Sequence, residues 1–104
     1  MIRTVDLVIA GAGSAAHGAA VDALQRGERV LVVLGSGDPR GGRSFRRRLL
    51  VAAKAGGSRA TVLTNAEVVC VDGVDRIEAV VIRYARTGRL CAVNASAFLS
   101  CAAR

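Results

Sequence analysis

The sequence is poor in the residues that usually anchor a large core. It has no tryptophan, one tyrosine, two phenylalanines and one proline, and aromatic residues make up only 3% of its 104 residues. Hydrophobic residues nevertheless account for 52% of the chain, which argues against a disordered protein. We therefore expect one small domain, residues 1–104, whose core consists of alanine, valine, leucine and isoleucine.

Cysteine and histidine are scarce as well. The three cysteines, Cys70, Cys91 and Cys101, are odd in number, widely spaced and without a C-x-x-C pair, which argues against a disulfide framework, a zinc site and a redox-active dithiol. The single histidine, His17, lies among alanines and has no carboxylate or nucleophile at the spacing of a catalytic pair. It is interpreted as a packed or solvent-facing helix residue, and no catalytic residue is predicted.

Long hydrophobic runs are also absent. The longest uncharged stretch, Leu7 to Val21, has fifteen residues and is interrupted by three glycines, so it is too short and too rich in glycine to span a bilayer. Asp6 precedes this stretch and breaks the pattern of a secretory signal peptide. These absences favour a cytoplasmic protein with no membrane segment.

The first third of the chain has the pattern of a βαβ unit. Val5–Ala10 and Arg29–Leu34 are short, nearly continuous apolar runs, which are typical of strands buried on both faces. Between them, small and apolar residues recur at helical spacing from Ser14 onward, and Gly27 follows as a C-terminal stop. Two parallel strands joined by a helix require a right-handed crossover.

The remainder of the chain predicts a second helix and then several strands. Residues 35–42 contain four glycines and the only proline, which is typical of a loop, and Ser44 is a reasonable N-cap for a helix that runs through Lys54. Predicted strands cover residues 60–64, 67–71, 76–84, 90–93 and 97–101, with a hairpin-like turn at residues 86–89. The predicted fold class is α/β: a Rossmann-like βαβ unit with a parallel sheet plus a small antiparallel β-meander.

The glycines after the first strand fit the pattern G-x-G-x-x-G/A. Gly11 permits a tight turn, Gly13 lets a pyrophosphate approach the backbone, and Ala16 allows the helix to pack closely on the strand. Backbone N–H groups at the start of the helix then face the phosphates. The residues predicted to hold a pyrophosphate are Gly11, Ala12, Gly13, Ser14, Ala15 and Ala16. A glycine-rich strand-to-helix turn in another kind of α/β protein is the alternative.

The end of the second predicted strand lacks the acidic residue that commonly binds a ribose hydroxyl. Leu34 takes that place and is followed by Gly35 and Ser36, while Asp38 lies four residues late in the loop. Arginines do not follow the strand directly either, as a site for a 2′-phosphate would favour. We expect residues 34–36 to border the adenosine ribose, although neither the acidic residue that binds a ribose hydroxyl nor the arginines that bind a 2′-phosphate are present there.

The sequence resembles the flavoproteins that contain two dinucleotide-binding domains. Residues 5–34 resemble their N-terminal FAD-binding βαβ unit, and residues 61–101 resemble the later meander. Residues 40–44, Arg-Gly-Gly-Arg-Ser, are similar to the GG-x-S loop of the fumarate reductase and tricarballylate dehydrogenase type. The resemblance implies FAD as the first candidate cofactor, with Gly42 and Ser44 approaching it from this loop.

The resemblance also implies what this chain does not contain. The FAD-binding families have a substrate domain and a C-terminal stretch that contacts the flavin. The implied function is therefore an FAD-binding domain or fragment of an FAD-dependent oxidoreductase that is not catalytic alone, with a second subunit supplying the flavin and substrate region. A compact NAD(P)-binding domain like that of the thioredoxin reductase group fits the length, although that group's His-Arg-Arg is not found here. The same sequence also admits a non-catalytic interaction subunit or a degenerate fragment.

Positive charge is concentrated in one block of the sequence. The chain has 15 basic and 8 acidic residues, a formal charge of +7, and seven of the basic residues lie between Arg40 and Arg59 with no acidic residue among them. This block admits three interpretations: nucleic-acid binding, attraction of the cofactor's pyrophosphate or of an acidic partner, or a solvated helix face. Because no aromatic stacking platform accompanies it, nucleic-acid binding is not expected.

Overall fold

The computed structural model describes residues 3–11, 13–35, 43–73 and 76–101. Within these ranges the chain forms two helices and six strands. In chain order the elements are β1 Arg3–Gly11, α1 Ser14–Gln25, β2 Val30–Val33, α2 Arg43–Ala55, β3 Ala60–Leu63, β4 Ala66–Asp72, β5 Ala79–Tyr84 and β6 Leu90–Cys101. Most of the predicted loop at residues 35–42 lies outside the described residues.

All six strands belong to one sheet in the order β3-β2-β1-β6-β5-β4. β1 pairs in parallel with β2 and with β6, and β2 pairs in parallel with β3. The pairs β4–β5 and β5–β6 are antiparallel and form the meander. The predicted α/β class, with a Rossmann-like parallel sheet and a small meander, is confirmed.

The last two predicted strands are one continuous strand. β6 pairs with β5 at its start, where Leu90 lies opposite Arg83, and with β1 from Val93 to Cys101. The prediction of a break at residues 94–96 was wrong because these residues contain no glycine or proline. Ala95 is buried between exposed neighbours, which is the alternation of an ordinary strand.

β5 begins three residues later than predicted, at Ala79 rather than Arg76. The connection from β4 ends at Glu78, whose backbone N–H donates to the carbonyl of Asp72 at 2.9 Å. This hydrogen bond closes the turn that follows Gly73. The chain therefore turns between Asp72 and Glu78, as Gly73 predicts, although residues 74–75 lie outside the described residues.

The two helices cover one face of the parallel strands. Every buried side chain of α1 is an alanine except Leu24, so the helix axis can lie close to the sheet. Phe45 and Leu49 of α2 complete this side of the core, and Phe45 is 7% exposed. The resulting cluster contains alanine, valine, leucine, isoleucine and one aromatic ring, as the composition predicts.

The meander covers the opposite face of the same strands. Leu31 and Val33 of β2 pack with Val80 and Ile82 of β5 in a second buried cluster. β2 is consequently buried at all four of its positions. This burial on both faces explains why its sequence is apolar without alternation.

Asp6 connects β1 to the residue before β2. Its Oδ2 accepts a hydrogen bond from the backbone N–H of Arg29 at 2.7 Å, and the Nε of the same arginine lies 3.4 Å away. The backbone hydrogen bond is the main reason that the pKa of Asp6 lies below its usual 3.8; burial opposes this shift, and the Arg29 side chain adds to it. The side chain of Asp6 is 34% exposed, so solvent screens the pair.

We expect Asp6→Asn to lower the free energy of unfolding at neutral pH by at most about 1 kcal/mol. A carboxylate whose pKa is lower in the folded state stabilises fully above its unfolded pKa, and the stabilisation disappears as the pH falls through the folded pKa. Urea unfolding of both proteins at pH 7 and near pH 2 should therefore show a difference only at pH 7. Asp22→Asn, at an exposed position of α1, is the control. If the free energies of unfolding of the native and Asp6→Asn proteins still differed near pH 2, the ionised carboxylate of Asp6 would not be the source of the stabilisation.

Candidate functional site

The turn between β1 and α1 depends on two glycines in unusual backbone conformations. Gly11 has φ 119°, and Gly13 has φ 104° and ψ −174°. Non-glycine residues rarely adopt either conformation, because a Cβ atom would collide with the neighbouring backbone. Both positions therefore favour glycine on conformational grounds, and the approach of a pyrophosphate at Gly13 stays a prediction. Ala12, between them, lies outside the described residues.

The start of α1 has no side-chain cap. Gly13 is the N-cap residue, it provides no side-chain hydrogen bond, and the first turn contains no acidic residue. The first amide with an intrahelical partner is that of His17, which donates to the carbonyl of Gly13 at 2.9 Å. Ser14 and Ala15 are exposed, whereas Ala16 is fully buried. Uncapped amides and the helix dipole favour an anion at this position.

The carboxyl ends of β1, β2 and β3 lie side by side. Ala10 pairs with Val33, and Val33 pairs with Leu63. The glycine turn, residues 34–35 and residues 64–65 therefore follow one another along one edge of the sheet. In open α/β sheets, ligands bind at this edge.

Comparison with known proteins identifies the fold and no family. No protein-family model matches the sequence, and no curated protein matches it. Thioredoxin reductase from Streptococcus pyogenes superposes with a TM-score of 0.76 and 20% identity over 98% of this chain and 32% of that chain. Thioredoxin reductase from Giardia duodenalis superposes with a TM-score of 0.76 and 16% identity over 98% of this chain and 32% of that chain.

A myxobacterial chondrochloren halogenase, described as a variant of FAD-dependent halogenases, gives a TM-score of 0.70 and 14% identity over 94% of this chain and 37% of that chain. The chain shares the Rossmann-like fold of these proteins. It spans about a third of the length of each. The fumarate reductase type stays a prediction.

The structure brings most of the predicted site residues to one edge of the sheet. The glycine turn and the start of α1 adjoin Leu34 and Gly35, which follow the neighbouring strand. Leu34 is only 2% exposed, its side chain belongs to the core beneath the helices, and its backbone N–H and carbonyl bond to Leu63 and Ala66. Its predicted place beside the ribose stays a prediction. Ser36, Gly42 and the side chain of Ser44 lie outside the described residues, so their predicted roles stay predictions.

His17 is a packed helix residue, as predicted. Its ring lies 6.3 Å from the ring of Phe45, and its buried Nε2 has no hydrogen-bond partner in the described part of the chain. The described residues also contain no group of three metal-ligating side chains. Likewise, none of the helices described is long and apolar enough to cross a membrane.

The described part of the basic block lies mainly on the outer surface of α2. Arg46, Arg47 and Arg48 are exposed, whereas Phe45 and Leu49 on the same helix are buried. This arrangement favours the interpretation of a solvated helix face. Attraction of a phosphate or of an acidic partner by these residues stays a prediction.

One cavity, which adjoins the carboxyl end of β3, was not predicted from the sequence. It has a volume of about 420 Å³ and lies between the β3–β4 turn and the β5–β6 turn. The signal that could have indicated it is a pair of arginines flanking the turn at Gly88. Its polar lining residues are Thr64, Asn65, Tyr84, Arg86, Thr87 and Arg89.

Proposed function

We propose that this chain binds an ADP-containing dinucleotide as the cofactor-binding domain, or part of it, of an oxidoreductase. The observation that carries the proposal is the glycine turn. Gly11 and Gly13 adopt conformations that favour glycine, directly before a helix with neither a side-chain cap nor an acidic first turn. A pyrophosphate supplies the acceptor oxygens and negative charge that such a helix start attracts.

FAD and NAD(P) are the two candidate dinucleotides. The resemblance of residues 5–34 to an FAD-binding unit supports FAD, as does the fold shared with a halogenase described as FAD-dependent. The resemblance in length to the NAD(P)-binding domain of the thioredoxin reductase group supports NAD(P), and two thioredoxin reductases share the fold. Both dinucleotides contain the same adenosine pyrophosphate, so the glycine turn serves either one.

The bound cofactor would supply the electron-transfer chemistry. In this chain the backbone amides at the start of α1 hold and orient the pyrophosphate, and the fully buried Ala16 lets the helix lie close to β1. The described residues offer no acid–base pair at this edge. Substrate binding is therefore assigned to a further chain or region, and the chain is proposed to be inactive alone.

Dinucleotide binding should raise the thermal stability of the purified chain. At a ligand concentration of 100 times Kd, binding to the folded state alone contributes about 2.7 kcal/mol, which corresponds to a rise in Tm of roughly 13 °C for a domain of this size. Differential scanning calorimetry with FAD, NADH and NADPH measures the rise, and adenosine without phosphate is the control ligand. The absence of a shift with all three dinucleotides at millimolar concentration would overturn the proposal.

A further inference from the structure

The cavity adjoins Thr64 and Asn65, which follow β3. β3 is the strand next to β2, after which the acidic residue that commonly binds a ribose hydroxyl is missing. Leu34 donates its backbone N–H to the carbonyl of Leu63 at 2.8 Å, and its own carbonyl accepts the N–H of Ala66 at 3.1 Å. Thr64 and Asn65 connect these two contacts and line the cavity. Because β2 and β3 follow β1 in the sheet, a dinucleotide that extends from the glycine turn across β2 would run toward this cavity with its adenosine end.

The opposite wall is an ordered turn from the meander. The N–H of Ala85 donates to the carbonyl of Asn65 at 2.8 Å, which ties the two turns together. Within the β5–β6 turn, the N–H of Gly88 donates to the carbonyl of Tyr84 at 2.8 Å, and the N–H of Arg89 donates to Thr87 Oγ1 at 3.2 Å. These hydrogen bonds fix the backbone that carries the cavity's charged residues.

Among the described residues that line the cavity, two are positively charged and none is a carboxylate. Arg86 and Arg89 are exposed and belong to the lining. The ion pairs within the described residues use Arg26, Arg29 and Arg83 instead. Arg86 and Arg89 form no ion pair with another residue that the structure describes, and both side chains are exposed.

We infer that this cavity binds the 2′-phosphate of an NADP-type dinucleotide. The inference rests on the proposed function, because the glycine turn must hold the pyrophosphate of the same ligand. An arginine guanidinium matches a phosphate with two parallel hydrogen bonds. The volume of about 420 Å³ lies within the range of small-ligand sites. Arg86 and Arg89 would thus replace the arginines that commonly bind a 2′-phosphate directly after the second strand and that are absent there.

The test is calorimetric titration of the full chain with NADPH, NADH and FAD at low salt. We expect NADPH to bind at least about tenfold more tightly than NADH, since charge-assisted hydrogen bonds distinguish the two. Arg86→Gln combined with Arg89→Gln should weaken NADPH binding to the level of NADH and leave NADH binding unchanged. The preference for NADPH should also decrease as salt is added.

Lys54→Gln combined with Arg59→Gln is the matched control. It removes the same charge from exposed residues at the end of α2 and the start of β3, at the opposite edge of the sheet. The control should retain the NADPH preference. An equal loss in the control would assign the preference to net charge and overturn the inference.

The remaining outcomes separate the inference from the proposed function. Equal binding of NADPH and NADH by the native chain, or FAD binding with no NADPH preference, overturns the inference and leaves the proposed function standing. Failure of all three dinucleotides to bind overturns both. Inorganic phosphate is titrated as a further arm, and if it removes the NADPH preference at concentrations equal to that of NADPH, the cavity is a general anion site and the inference is wrong.

Discussion

Replacing Gly56 by alanine is expected to lower the free energy of unfolding by about 3 kcal/mol. A Cβ at this position would lie 2.0 Å from the carbonyl oxygen and 2.9 Å from the carbonyl carbon of Leu24, and 3.2 Å from the Cα of Gln25. These are backbone atoms at the end of α1, so no side-chain rotation relieves the collision. The ends of the two helices would have to separate, which would loosen the packing of both against the sheet.

Urea unfolding followed by circular dichroism measures this loss, and the corresponding decrease in Tm is roughly 15 °C for a domain of this size. Gly18→Ala is the matched control, because a Cβ there meets no atom within 4 Å and the position is inside α1. Alanine in a helix interior is more favourable than glycine by about 0.5–1 kcal/mol. The control should therefore be slightly more stable than the native chain. A Gly56→Ala protein as stable as the native one would contradict the close approach of the helix ends.

The close approach of Gly56 to Leu24 is a part of the fold that local sequence patterns do not predict. β1, α1 and β2 were predictable because burial on both faces and helical spacing leave strong local patterns. Gly56 directly follows α2, where a glycine is common for local reasons alone. Its contact with Leu24, more than thirty residues earlier in the chain, depends on how two helices meet on the sheet.

The candidate site divides in the same way. Gly11 and Gly13 were predictable because a strand, a turn and a helix follow one another directly in the sequence. The cavity was not predictable, because Asn65 and Arg86 are about twenty residues apart and are brought together by the pairing of β4 with β5. A contiguous motif therefore sufficed to propose a phosphate position, whereas the pair of arginines beside the end of β3 became visible only in the folded meander.

Replacing Gly13 by valine is expected to abolish dinucleotide binding, with Kd for FAD, NADH and NADPH rising by roughly a hundredfold or more. The φ of 104° and ψ of −174° at this position are essentially restricted to glycine. Valine would strain this conformation, and relief of the strain would move the backbone and redirect the amides at the start of α1. Loss of two hydrogen bonds to a charged phosphate accounts for an effect of this size.

The strain also lowers stability by about 1–3 kcal/mol, so binding must be measured below the Tm of the variant, with circular dichroism confirming that it is folded. Gly18→Ala is the control for binding as well, because Gly18 lies on α1 beyond its first turn, at an exposed position. Its affinity should equal that of the native chain. If the folded Gly13→Val protein bound any of the three dinucleotides as tightly as Gly18→Ala does, the pyrophosphate would not lie at the glycine turn. The Arg86 and Arg89 cavity would then lose the geometry that connects it to a dinucleotide, because its position matters only relative to a phosphate held two strands away.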